Sequence, residues 1–316
     1  MRRTIAVAAL AASLAFSGAA RADITVYSAG PANLIEALAS GFTKSTGIKA
    51  NVFQGTTGQV MGRIEAEASN PVVDVLISAS WDTATDFDKR GWLVAYESPN
   101  AKTVPDAYKT RTAVAQGISA LAIAWNPKSG TPKPAEWTDL AKADYKDLVV
   151  LPDPTQSGAS FELVAAEQAR NGWKLFEDLK ANGAVIGGAN AAALNPVLQG
   201  AKAAVFGGVD YLAFAAAKKG ESLEVIFPAS GTIVAPRPMM ILNWSKQQDD
   251  ARKFIDYVLS DEGQAAVAKV FLIPARTDIA AGRPLIKDIK VITIDAAAVY
   301  PKRDETLARF AKTFGH

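Results

Sequence analysis

The sequence contains no cysteine and one histidine, His316, which is its last residue. The first absence excludes a disulfide framework, a thiolate nucleophile and a cysteine-ligated zinc site. The second removes His-based triads, His-rich metal sites and a His general base, because a chain terminus rarely holds a group to catalytic precision. An excess of charge of either sign is also missing. The 34 Lys and Arg stand against 32 Asp and Glu, and Arg2, Arg3 and Arg21 belong to the N-terminal stretch. That balance leaves no electrostatic footprint for nucleic acid, and no cofactor is implied. Long apolar runs are scarce: Ile5 to Phe16 is too short for a membrane span of about 20 residues, and no later run of that length is free of charges.

What is present begins with an export signal. Met1-Arg-Arg3 is basic, Ile5 to Phe16 is apolar, and Ala20-Arg21-Ala22 is a small-x-small cleavage site. Residues 1–22 are therefore expected to be a secretory signal peptide, with the mature chain starting at Asp23 and general secretion favoured over a twin-arginine route. With 49% hydrophobic and 21% charged residues, the remainder has the composition of a soluble globular protein and the length for two domains.

The centre of the chain holds Leu151-Pro-Asp-Pro-Thr-Gln-Ser-Gly-Ala-Ser160. The apolar run from Leu148 to Leu151 is β-prone, Pro152 and Pro154 stop it, and Phe161, Val164 and Ala165 follow at helical spacing. Ser157, Gly158, Ala159 and Ser160 are thus expected at a helix N-terminus, where unpaired backbone N–H groups and the helix dipole suit a phosphate, phosphonate or carboxylate. Ordinary N-capping accounts for the same residues, so this stretch alone leaves both readings open.

Similar turns recur along the chain. Ile24–Ser28 leads into Ala29-Gly30-Pro31 and a helix through Leu34, Leu38 and Phe42; Lys49–Phe53 leads into Thr56, Thr57 and Gly58; Val73–Ile77 ends at Ser78-Ala79-Ser80. A fifth, Gly207-Gly-Val-Asp-Tyr211, follows Ala203–Phe206. Strands separated by helices imply parallel sheet, right-handed crossovers gather the turns at one edge, and ligands of open α/β sheets bind there. Five such turns in both halves predict a small-molecule cleft between two α/β lobes. Two long extended segments, Gly117–Asn126 and Gly231–Leu242, bracket the middle, and Pro236 and Pro238 suit a crossover strand better than a sheet interior. The expected division is lobe 1 from 23–124 plus 234–316 and lobe 2 from 125–233, hinged so that the cleft closes on a ligand.

Ala251-Arg-Lys-Phe-Ile-Asp-Tyr-Val-Leu-Ser-Asp-Glu-Gly-Gln264, followed by Val270-Phe-Leu-Ile-Pro-Ala-Arg-Thr277, resembles the C-terminal signature of bacterial extracellular solute-binding proteins. Phe254, Ile255, Val258 and Leu259 form an apolar stripe, and Asp261 with Gln264 has capping-box spacing. Together with Val26-Tyr27-Ser28, Asp74-Val75-Leu76 and Ser157-Gly158, the chain looks like the ferric-iron-binding branch of type II periplasmic binding proteins. The resemblance implies a two-lobed α/β fold with two crossover strands, a monomeric periplasmic receptor rather than an enzyme, and delivery of ligand to the permease subunits of an ABC importer.

The sequence departs from that branch at the metal. Ferric-binding members hold the ion with two adjacent tyrosines, often with a His or Glu. Here Gly208-Val-Asp-Tyr-Leu-Ala213 has one tyrosine, Ser28 to Asn33 has no histidine, and Ile77 to Trp81 offers only hydroxyls. Neutral serines are poor ligands for a hard trivalent ion, so no metal is expected. The resemblance also extends to members binding 2-aminoethylphosphonate and sugar phosphates, which implies that Ser28, Thr56, Thr57, Ser80, Ser157 and Ser160 donate to a phosphonyl or phosphate group. Ser78 is the alternative support of its turn, Trp81 a wall of the cleft, and Arg237 either a counter-charge or a brace of the hinge. Asp210 is read as a partner for an ammonium or sugar hydroxyl and Tyr211 as a hydrogen-bonding group, although an N-cap and a packing ring explain these two equally well. The different-class alternative is an exported phosphoester hydrolase.

Overall fold

The computed structural model describes residues 23–315. The expected signal peptide at 1–22 lies outside the described residues. Within them, β1 (Ile24–Ser28) is followed by α1 (Ala32–Thr46), which buries Leu34, Ile35, Leu38, Ala39 and Phe42 on one face and ends at Gly47 with a left-handed φ of 74°. Then come β2 (Ala50–Gln54), α2 (Thr57–Ala66), β3 (Val75–Ile77) and α3 (Trp81–Lys89). β4 (Ala113–Trp125) is buried along its whole length. β5 (Val149–Leu151), α4 (Gly158–Asn171), α5 (Lys174–Ala181), β6 (Val185–Ile186), α6 (Asn190–Leu198), β7 (Ala204–Val209), α7 (Asp210–Lys218) and β8 (Glu224–Ile226) make the middle of the chain. β9 (Val234–Ile241), α8 (Gln248–Val258), α9 (Asp261–Lys269), β10 (Ile273–Pro274), α10 (Ala296–Val299) and α11 (Arg303–Phe314) complete it.

The strands run in the order β2-β1-β3-β9-β4-β7-β5-β6, with β8 and β10 also paired to β4. β1 is parallel to β2 and β3, and β5 is parallel to β6 and β7, as the strand-helix alternation predicts. The two parallel groups are joined through β4 and β9. Ala113 to Ala120 of β4 pair antiparallel with β9, and Leu121 to Trp125 pair with β7, with register shifts on both sides. Pro236 and Pro238 sit within β9 on either side of one of these irregularities, where proline's missing N–H is tolerated better than in a regular ladder. Two lobes joined by two crossover strands therefore form the molecule, and the ends of β1, β2 and β3 face those of β5, β6 and β7.

Two local expectations need correcting. The strand ending at Phe206 continues through Val209, so the fifth turn tightens to Asp210, the first residue of α7. Asp261 and Gln264 form no capping box: Ser260 caps α9, its hydroxyl accepting from Gly263 N at 3.2 Å. Gln264 turns inward instead. Its Nε2 donates to Gln116 O (2.9 Å) and Val258 O (3.0 Å), and its Oε1 accepts from Ala275 N (2.8 Å), tying α8, α9, β4 and β10 together. Gly263 is needed for that approach, since a Cβ there would lie 2.3 Å from Tyr257 O. α11 packs on α4 and α5, with Phe310 against Phe176 (centroids 5.9 Å apart) and Arg309 paired to Glu177 at 2.8 Å.

Candidate functional site

Each turn residue is positioned by a strand end and a helix start. Ser28 closes β1 and is buried, and its Oγ has no hydrogen-bond partner among the described residues. Ala29 and Gly30 follow it. A Cβ on Gly30 would lie 3.2 Å from both Ser28 Oγ and Arg237 Nη2, so the glycine opens the space those two groups share. Arg237 comes from β9, is 1% exposed, and donates Nη2 to Ala29 O; its Nε has no partner and it forms no ion pair among the described residues. Burial pushes this guanidinium below its ordinary range, while the nearby Tyr211 acts in the opposite direction. A buried, unpaired cation is costly, and an anion beside it removes that cost.

The cradle at the start of α4 faces the other lobe. Ser157 is the N-cap, its Oγ accepting from Ser160 N at 3.0 Å, and Ser160 Oγ donates to Pro152 O at 2.8 Å. Gly158 N donates to Thr57 Oγ1 at 3.2 Å, which joins the α2 and α4 N-termini across the cleft. Ala159 is buried beside them. Thr56 forms a capping box with Gln59 (3.2 and 2.9 Å). Ser78 supports its turn through Thr83 Oγ1 at 2.9 Å. Ser80 and Trp81 are engaged by an acid that sequence reasoning did not single out: Ser80 Oγ lies 2.5 Å and Trp81 N 2.8 Å from Glu162 Oε1.

Asp210 and Tyr211 resolve differently. Asp210 is fully buried and ion-paired with Arg283 at 2.5 Å, while its Oδ1 accepts from Tyr211 N at 2.8 Å. Burial raises its carboxyl above the ordinary range and the Arg283 guanidinium opposes that shift. Arg283 in turn donates to Phe271 O (2.7 Å) and Pro284 O (2.9 Å), so this carboxylate is held by the fold rather than offered to an ammonium group. Tyr211 is buried and lies within electrostatic reach of Arg237; burial pushes its phenol up and Arg237 pulls it down.

Sequence reasoning missed Asn190. It is the first residue of α6, its Nδ2 donates to Ser157 Oγ at 2.6 Å, and its Oδ1 is buried with no partner among the described residues. The signal was present: Gly187-Gly188-Ala189-Asn190 follows β6 in the same strand-turn-helix grammar as the five turns, but the strand is too short for periodicity to reveal it.

The comparisons with known proteins agree with this architecture. A periplasmic protein of Salmonella typhimurium, provisionally named for binding 2-aminoethylphosphonate, is 24% identical over 282 residues, covering 82% of this chain and 81% of its own. The major ferric iron-binding protein of Neisseria meningitidis serogroup B is 28% identical over 285 residues, covering 85% and 86%. Among solved structures, the periplasmic binding protein AfuA of Actinobacillus pleuropneumoniae with fructose-6-phosphate superposes with a TM-score of 0.85 at 22% identity, over 93% of this chain and 99% of that one. Iron-bound HitA of Pseudomonas aeruginosa gives 0.81 at 22% identity with the same coverage. The family model described as bacterial extracellular solute-binding protein matches residues 70–301, most of the chain. With two lobes, facing strand ends and this match in agreement, the chain belongs to the bacterial extracellular solute-binding protein family.

Proposed function

We propose that this chain is the periplasmic receptor of an ABC importer, that it has no catalytic role, and that its ligand is a small organophosphorus anion, 2-aminoethylphosphonate before a sugar phosphate. One observation carries the ligand class: the Arg237 guanidinium, buried between the lobes with no carboxylate partner among the described residues and next to the unpaired Ser28 Oγ. A cation here favours a phosphonyl group and repels Fe³⁺, for which Tyr211 would be the only phenolate of the set proposed here. The relative provisionally named for 2-aminoethylphosphonate supports the same class. On this reading Ser28, Gly30, Ser157 and Arg237 hold the anionic end, with Thr56, Thr57, Ser80, Gly158, Ala159 and Ser160 shaping the closed wall. Because Arg283 occupies Asp210, the ammonium end falls to neutral acceptors, Asn190 Oδ1 and the Tyr211 hydroxyl. We place α10 and α11 with the middle lobe, on their packing against α4 and α5, and leave 23–124 with 234 to about 295 in the first.

Isothermal titration of the refolded, ligand-free chain from Asp23 onward tests this. The compounds are 2-aminoethylphosphonate, glucose 6-phosphate, inorganic phosphate and ferric citrate. One-to-one binding of an organophosphorus compound, with none to iron, is expected. Tight binding of iron alone overturns the anion reading, and steady release of product from a phosphoester overturns the receptor reading.

A further inference from the structure

A buried acidic pair joins the lobes at the edge of the cleft. Ser80 Oγ lies within hydrogen-bond distance of Asp82 Oδ1, on α3 of the first lobe, and 2.5 Å from Glu162 Oε1, on α4 of the second. The serine carries one hydroxyl proton and can donate to only one of the two carboxylates. The other contact is attractive only if that carboxyl brings a proton of its own. The surroundings say which acid does so. Arg303 pairs with Asp82 Oδ2 at 2.6 Å and stacks over the Phe161 ring at 4.3 Å, which keeps a positive charge on the Asp82 side. Glu162 is 1% exposed and faces only neutral donors, Trp81 N at 2.8 Å and the Tyr300 hydroxyl at 3.0 Å. Among the described residues, Asp82 from α3, Tyr300 from the turn before α11 and Arg303 from α11 are the titratable or charged groups in this cluster.

We propose that this cluster is a proton-operated latch: closure of the lobes takes up one proton at Glu162, whose carboxyl then donates to Ser80 Oγ while the Ser80 hydroxyl donates to Asp82. The proton comes from solvent and returns to solvent on opening, with no bond made or broken besides those to hydrogen. Opening separates α3 from α4, which removes Asp82 and the burial together and returns Glu162 to water. Burial first and Asp82 second hold the Glu162 carboxyl up at about 7 in the closed form. Because the raised value belongs to the closed form, closure is favoured at low pH and loses that advantage as pH rises through about 7. The device is independent of which ligand the cleft takes.

The test therefore uses no ligand. The sequence has no cysteine, so Glu36→Cys on α1 and Gln199→Cys at the end of α6, both exposed, give a donor–acceptor fluorophore pair across the lobes. For the labelled full chain, the ratio of closed to open molecules is expected to rise about thirtyfold between pH 8 and pH 5.5, from one linked proton and an ordinary carboxylate in the open form. In Glu162→Gln, a neutral mimic of the protonated acid, the ratio is expected not to change with pH. Asp82→Asn, which removes the like charge while leaving Glu162 buried, is expected to move the transition to lower pH and guards against a Glu162 variant that fails to fold. A wild-type ratio that is flat from pH 8 to 5.5, or a Glu162→Gln protein that keeps the wild-type pH profile, overturns the latch. Neither result bears on the anion reading, which the ligand titration decides separately.

Discussion

Two buried arginines in this protein have opposite roles, and substitution separates them. Arg283 is matched by Asp210 at 2.5 Å in a site closed to solvent, whereas Arg237 has a carbonyl, an unpaired serine and, among the described residues, no carboxylate. Replacing Asp210 with Asn leaves a buried guanidinium uncompensated and is expected to lower stability by about 3–5 kcal/mol, read from the urea midpoint. Replacing Arg237 with Met removes a buried charge that, on the anion reading, gains its partner only with ligand. The ligand-free protein is expected to melt at the same or a higher temperature, while affinity for 2-aminoethylphosphonate falls about 100-fold or more in a calorimetric titration. A drop in melting temperature together with unchanged affinity would make Arg237 a hinge brace. Side chains that cap, such as Ser157, are legible in the sequence because the cap and its N–H partner are three residues apart. Asp210 and Arg283 are 73 positions apart, and Glu162 lies within a helix whose inner face reads as ordinary alternation, so neither their partners nor their burial leaves a local trace.

At the level of elements, closure brings helix N-termini so near that only glycine fits between them. A Cβ on Gly58, in the first turn of α2, would lie 2.8 Å from Thr155 O of the opposite lobe, and one on Gly158 would lie 2.7 Å from Ser80 Cβ. Neither glycine has a positive φ, so the requirement is clearance and not backbone strain. Gly58→Ala should leave the isolated helix as stable or slightly more so, since alanine is the better helix former by about 1 kcal/mol. It is expected to hold the lobes apart, lowering affinity for 2-aminoethylphosphonate at least about tenfold and keeping the small-angle scattering profile that of the ligand-free protein when ligand is added. Unchanged affinity would mean that the approach of α2 to residues 153–157 is not needed for binding. The strand-turn-helix units themselves were visible in the sequence, because apolar runs followed by hydroxyl and glycine turns have few other uses. Gly263 was visible only as part of a signature, and Gln264 only there and as the capping-box partner it is not. What they do, bringing α9 against the end of α8 and knitting it to β4 and β10, depends on contacts up to 148 positions apart.

On the lobe division proposed above, the whole molecule adds a third passage between the lobes to the two strands. After β10, paired to β4 beside β9, the chain runs to α10 and α11 on the surface of α4 and α5. An amphipathic pattern shows which face of a helix is buried, not which lobe buries it, so the alternation of strands and helices foretold the two groups of parallel strands, while the last helix was expected in the first lobe from its place in the chain alone. Its position matters because α11 carries Arg303 over the cleft edge to Asp82 on α3, at 2.6 Å and largely out of solvent. On the lobe division proposed above, that ion pair forms between an element packed on one lobe and an element of the other, and is expected only in the closed molecule. Removing it leaves each lobe's own core intact, including the Phe310 contact with Phe176. Arg303→Ala is therefore expected to unfold at the wild-type urea concentration, yet to bind 2-aminoethylphosphonate about tenfold more weakly, the equivalent of about 1.4 kcal/mol withdrawn from closure. The loss should be greatest at low ionic strength and shrink as salt weakens the same pair in the wild type. Equal affinity of the two proteins at every salt concentration would show that α11 is attached to the middle lobe without helping to close it.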